Sequence, residues 1–186
     1  MVTLPFPFKS FQSRGEKEML SEILSKKTCA SCRFCCSFRR SSLWETPLFD
    51  AETVKRLSER GYVFEMHDGY GRMILEDRYT TDDPSEEVPC YFLDSSSGCT
   101  LSGEDKPFDC KIWPLRLMRK ENGDLVLALT PTCPAINRYS IEEMKQFAAD
   151  GIGEQIFQYG KTHPYIIKEY REGFPELMTF RKSWSV

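Results

Sequence analysis

Residues Cys29-Ala30-Ser31-Cys32-Arg33-Phe34-Cys35-Cys36 carry four of the chain's eight cysteines, in the pattern C-x2-C-x2-C-C. No other stretch restricts the fold as much. Thiolates at i, i+3 and i+6 on a short irregular loop can turn their sulfurs toward one centre, as thiolate–metal sites need. Disulfides explain the pattern poorly. Cα atoms joined by a trans peptide sit about 3.8 Å apart, below the roughly 4.4–6.8 Å usual across a disulfide, so Cys35 and Cys36 make a strained pair. In extended chain, neighbouring side chains also point to opposite sides. One of the two therefore serves the local site, and the other faces a second site or a packing layer.

The other four cysteines, Cys90, Cys99, Cys110 and Cys133, stand singly among turn and β-type residues, as in Pro89-Cys90-Tyr91-Phe92 and Ser97-Gly98-Cys99-Thr100. Four clustered and four dispersed thiols are what one or two Cys-ligated centres, closed by distant chain segments, would require. The octapeptide, then C-x8-C-x10-C-x3-P from Cys90 to Pro114, then Cys133-Pro134, resembles the zinc- or iron-chelating CxxCxxCC domain family, the YkgJ-type cysteine-cluster proteins. The resemblance runs from about Cys29 to Cys133. It implies a centre ligated by Cys29, Cys32, Cys35, Cys36, Cys90, Cys99, Cys110 and Cys133, and implies little about reaction. Some family members have Pro directly after the fifth cysteine, where this chain has Tyr91 with Pro89 before Cys90. A flagellin lysine methylase shares a similar cysteine pattern, which offers methyl transfer by analogy only.

Which metal the thiols take is open to two readings. Zinc needs four ligands, usually from two C-x2-4-C knuckles, and the gaps of 8, 10 and 22 residues downstream make no second knuckle. Three closely spaced cysteines plus a remote Cys-Pro, with thiolate-only ligation, favour an iron-sulfur cluster of the 4Fe-4S kind over zinc. His67 and His163 read as a turn residue and a helix-start residue rather than ligands. No phosphate-binding glycine loop and no hydrolase constellation is visible. Three functions follow: a cluster with a redox or sensing role, a zinc-stabilised module for an unspecified protein partner, or an iron-sulfur enzyme with an open iron beside an aromatic-lined pocket.

Composition supports this class. The 186 residues, 40% hydrophobic and 13% aromatic, are enough for a packed core, so metal need not be the sole source of stability. Cysteine, 8 in 186, lies below the roughly 8–10% of small disulfide scaffolds. No secretory leader and no apolar run near 18 residues is apparent, so the expectation is a cytoplasmic protein with reduced thiols and no membrane association. A net charge of −3 argues against a nucleic-acid partner. Between Lys26 and Trp44 five basic residues (Lys26, Lys27, Arg33, Arg39, Arg40) meet no acidic one; they read as a solvated face or as an offset to thiolate charge.

Periodicity predicts a small α+β domain of short helices and β-hairpins around the cysteines. Residues 1–28 read as an arm, Met1 to Arg14, and a helix from Glu16 to about Lys26. Residues 29–135 form the metal-binding domain, and 136–186 a helical extension packed on it. Within these, Ser41–Phe49 reads as an extended linker and Asp50–Arg60 as a helix capped by Asp50. Tyr62–Met66 with Arg72–Glu76 reads as a hairpin, Asp77–Glu87 as an exposed loop, and Cys90–Leu101 as a knuckle tipped by Asp94–Gly98. Trp113–Lys120 and Asp124–Leu129 flank Glu121-Asn122-Gly123, a strong hairpin signal. Ser140-Ile141-Glu142-Glu143 is a capping box opening a helix to about Ala149, and Pro164–Glu172 reads as a last helix.

Overall fold

The computed structural model describes residues 20, 23, 24, 31–101 and 103–181. The arm and most of the first helix lie outside them. Leu20, Ile23 and Leu24 alone are described: Leu24 N–H donates to the Leu20 carbonyl at 2.8 Å, a helical i−4 bond, and Leu20 and Ile23 are buried.

A 3-10 turn over Phe34–Cys36 opens into strand β1 (Ser37–Arg39). A second 3-10 segment, Arg40–Glu45, precedes β2 (Leu48–Asp50) and helix α1 (Ala51–Ser58). Asp50 caps α1, its carboxylate accepting from the Thr53 N–H at 2.8 Å and so satisfying one of the helix's free amides. The chain then leaves through Gly61, at the positive φ of 91° that glycine tolerates. β3 (Phe64–His67) and β4 (Tyr70–Met73) form the expected hairpin, with β2 on the far edge of β4. β5 (Glu87–Pro89) pairs antiparallel with β1, and β6 (Leu93–Asp94) and β7 (Gly98–Cys99) make the knuckle.

Next come α2 (Phe108–Ile112), β8 (Leu115–Arg119) and β9 (Leu125–Leu129), then α3 (Ile141–Phe147), a π-turn over Ala148–Ile152, and α4 (Gly153–Thr162). β10 (Lys168–Glu169) and β11 (Glu176–Phe180) complete a four-stranded sheet ordered β10-β8-β9-β11. All five residues of β9 are buried, because each face of the sheet is covered. Leu115, Leu117, Leu125 and Leu127 meet Met144, Phe147 and Ile156 from α3 and α4 on one side. Met118, Val126 and Ala128 meet Trp44, Tyr170 and Phe174 on the other. Gly160 lets α4 approach: a Cβ there would collide with Leu117 Cδ2. A second core of Phe38, Phe49, Val54, Leu57, Met73 and Phe92 lies beneath the three-stranded sheet and α1.

The class is α+β, as expected. Ser41–Phe49 is not an extended linker: it coils into a 3-10 segment and then pairs, Leu48 opposite Arg72 and Phe49 opposite Gly71, because burying Phe49 requires β2 to sit on the hairpin. Pro164–Glu172 is not a helix either. A 3-10 turn over Pro164–Ile166 gives way to β10, which runs parallel to β8, since the open edge of β8 offers backbone partners that a surface helix would leave unused. The segment 136–186 therefore contributes two strands as well as helices. No described helix is long and apolar enough to cross a membrane.

Candidate functional site

Of the eight cysteines, Cys29 lies outside the described residues; Cys32, Cys35, Cys36, Cys90, Cys99, Cys110 and Cys133 are described, none in a disulfide. Arg33 takes the left-handed conformation, φ 56°, unusual for a side chain larger than glycine. It reverses the chain between Cys32 and the 3-10 turn, where the Cys36 N–H donates to the Arg33 carbonyl at 3.0 Å. The Cys36 carbonyl in turn accepts from the Cys90 N–H at 2.7 Å, extending the β1–β5 pairing and joining the octapeptide to the fifth cysteine. Cys99 stands on β7 opposite Leu93, with the knuckle closed by the Thr100 N–H donating to Phe92 at 2.8 Å. Cys110 lies on α2. Cys133 opens a turn whose amides, Ile136 and Asn137, donate back to its carbonyl, and it is buried against the sheet-side core.

The thiols sense one another. A hydrogen bond with Cys36, then burial, then the charge of Cys36 push Cys35 far above the ordinary thiol range. Burial raises Cys90 to about 11, with Cys99 and Cys35 adding to it. Burial also raises Cys110, with Cys90 and Cys35 adding, and raises Cys133, with Cys35 and Cys32 adding. Cys35 thus contributes to the shifts of Cys90, Cys110 and Cys133, thiols of the β5–β6 link, α2 and the turn after β9.

In the described part of the basic run, Arg39 and Arg40 are paired with carboxylates rather than thiols. Arg39 pairs with Glu87 at 3.5 Å, Arg40 with Glu86 at 3.7 Å, and Arg33 donates to the Ser95 carbonyl at the knuckle tip. Lys26 and Lys27 lie outside the described residues. The cations that favour thiolate are instead Lys106, beside Cys35 and Cys110, and Arg78, beside Cys90. The imidazole of His67 stacks on Tyr70, and that of His163 stacks on Tyr159 while its Nδ1 lies 3.2 Å from the Tyr159 carbonyl.

Among the described residues, no three of His, Cys, Asp and Glu are grouped closely enough to hold a metal ion as they stand. The donor chemistry suits a thiophilic centre: the unbonded thiols of Cys35, Cys90, Cys110 and Cys133 are donors that a bound cation would help to ionise. Beside Cys35 opens a cavity of about 190 Å3 lined by Phe34, Phe38, Trp113, Glu45 and several hydroxyl side chains. Burial pushes the Glu45 carboxyl up, against the pull of Arg116.

Sequence reasoning missed a second cluster next to this one. Asp109, which precedes Cys110, is 2% exposed and faces Arg116 at 3.4 Å and Lys168 at 3.6 Å. The one signal was Arg116 itself, a cation flanked by Leu115 and Leu117 in a strand whose other cation, Arg119, is exposed at its end. No family model, curated protein or solved structure matches the chain.

Proposed function

We propose that the chain is a metal-binding protein of the CxxCxxCC kind, holding a Cys-ligated iron-sulfur centre with a redox or sensing role. The observation that supports this reading most is the bond from the Cys90 N–H to the Cys36 carbonyl, 2.7 Å, which joins the octapeptide to the fifth cysteine beside unbonded thiols. Cys29, Cys32, Cys35, Cys99, Cys110 and Cys133 complete the candidate ligand set. Thiolate-only donors and the C-x2-C-x2-C spacing favour iron-sulfur over zinc.

The cavity beside Cys35 favours a second reading, an enzyme whose substrate meets an open iron between Phe34 and Trp113. The deciding measurement is metal and acid-labile sulfide on anaerobically purified protein, with its visible spectrum. Iron, sulfide and a broad absorption that bleaches reversibly on reduction are expected. Colourless protein with stoichiometric zinc would replace iron by zinc and redox by scaffolding. Protein with neither metal nor sulfide overturns both readings.

A further inference from the structure

The side-chain cluster formed by Asp109, Arg116 and Lys168 is short of negative charge and of hydrogen-bond acceptors at the same place. All three side chains are at least nine-tenths buried, at 2%, 4% and 10% exposure. The Asp109 carboxylate faces both cations and also accepts from the Leu48 N–H at 3.2 Å. Arg116 spends its Nη2 on the Glu45 carbonyl at 3.3 Å and lies over the Trp113 ring at 4.7 Å. Among the described residues its Nε and the buried hydroxyls of Thr46 and Thr130 have no hydrogen-bond partner, and its Nη1 has only the Asp109 Oδ1 at 3.4 Å, outside hydrogen-bond geometry.

Both threonines belong to the same neighbourhood. Thr46 lies between Glu45 and Leu48, whose backbones bond Arg116 and Asp109 respectively. Thr130 stands two residues beyond Ala128, the cross-strand partner of Arg116, and so on the same face of the sheet. Of the five buried side-chain atoms without a partner among the described residues, two belong to this guanidinium and two are the hydroxyls of Thr46 and Thr130. Buried polar atoms are nearly always satisfied, so a group this concentrated calls for a missing component.

We infer that this cluster binds a small monovalent anion of chloride size, held by Arg116 Nε and Nη1, the hydroxyls of Thr46 and Thr130, and the excess positive charge of Arg116 and Lys168 over Asp109. Water would satisfy the hydrogen bonds alone; an anion would also answer the positive charge by which Arg116 and Lys168 exceed Asp109. Guanidinium nitrogens only donate, and hydroxyls can, so the site suits an acceptor. Glu45 is the nearest competing carboxylate. It faces Arg116 from the neighbouring cavity and bonds none of the four atoms. The inference does not depend on the cysteine centre.

The test uses the whole protein, unfolded thermally in sodium chloride, sodium bromide or sodium gluconate at matched ionic strength. A saturable rise of the midpoint by a few degrees in chloride and bromide, absent in gluconate, is expected. Thr130→Val and Thr46→Val remove a hydroxyl without changing side-chain shape. Each is expected to weaken half-saturation by roughly tenfold, the worth of one hydrogen bond to a charged group. Bromide-soaked crystals are expected to show anomalous density beside Arg116 Nε. Equal stabilisation by all three salts, or ordered water in place of bromide, overturns the proposal.

Discussion

β8 and β9 place five residues each in a sheet whose two faces are both covered, so Leu115, Leu117, Leu125 and Leu127 are buried and gain about 1.5–3 kcal/mol apiece from burial. Around the cysteines, by contrast, β1 and β5 have three residues and β6 and β7 have two, joined by 3-10 turns and hydrogen-bonded Asp and Ser side chains. Cys32 and Cys99 are exposed there, as are Phe34 and Tyr91 beside their cysteines. Two-residue strands cannot hold themselves in water. The sheet half is organised by its long paired strands, and the cysteine half by the second core, which Phe38, Val88 and Phe92 join to its short strands. The proposed metal ion would be a further tie.

The sharpest way to break this comparison is to strip metal from loaded protein with a chelator and follow amide exchange. A structural metal is worth on the order of 10 kcal/mol in small domains. The Cys90 and Thr100 amides, which bond Cys36 and Phe92, are expected to lose protection while that of Leu127 keeps it. Loss in both halves at once would make the molecule one cooperative unit.

Asp109→Ala comes next, because the cluster stands where the halves meet. Leaving Arg116 and Lys168 buried without their carboxylate is expected to cost about 3–5 kcal/mol in urea unfolding, with or without metal. Leu127→Ala is expected to cost about 2–5 kcal/mol through the cavity it opens, and to leave metal content unchanged.

The smallest effect is alkaline. In metal-free protein the folded Cys90 thiol titrates near 11 against an ordinary 9.0. The folded state keeps a proton that the unfolded chain releases. Its contribution is therefore whole below pH 9 and is lost as pH rises from about 9 to 11, at about 1.4 kcal/mol per pH unit. Cys35, Cys110 and Cys133 are shifted the same way, so Cys90→Ser is expected to lessen the alkaline slope by Cys90's share, and bound metal to abolish it.

Much of the fold was legible because it is local. Asp50 and Ser140 cap their helices as their spacing promised, with the Glu143 carboxylate accepting from the Ser140 N–H at 2.7 Å. Asn122-Gly123 turns β8 into β9, Gly123 at φ 87°. The last helix failed for a reason period alone hides. Tyr165, Ile166, Ile167 and Tyr170 fit a helical stripe, yet the open edge of β8 was available, and Lys168 and Glu169 pair with it in parallel. At the site, the cysteines announced themselves by type and spacing. Their cations did not: Lys106 and Arg78 lie far from the octapeptide in sequence, while nearby Arg39 and Arg40 are held by Glu87 and Glu86.

What the sequence determined by itself was whatever depends on neighbours along the chain: helix caps, hairpin turns, and three sulfurs at a spacing that suits a shared centre. Only the tertiary structure decided that β10 and β11 flank the central hairpin, that Cys36 bonds Cys90, and that Arg116 lies buried against Asp109 and Lys168. Those pairings join segments up to dozens of residues apart. Their free energy lies in edges, faces and charges that exist only once the chain has closed on itself.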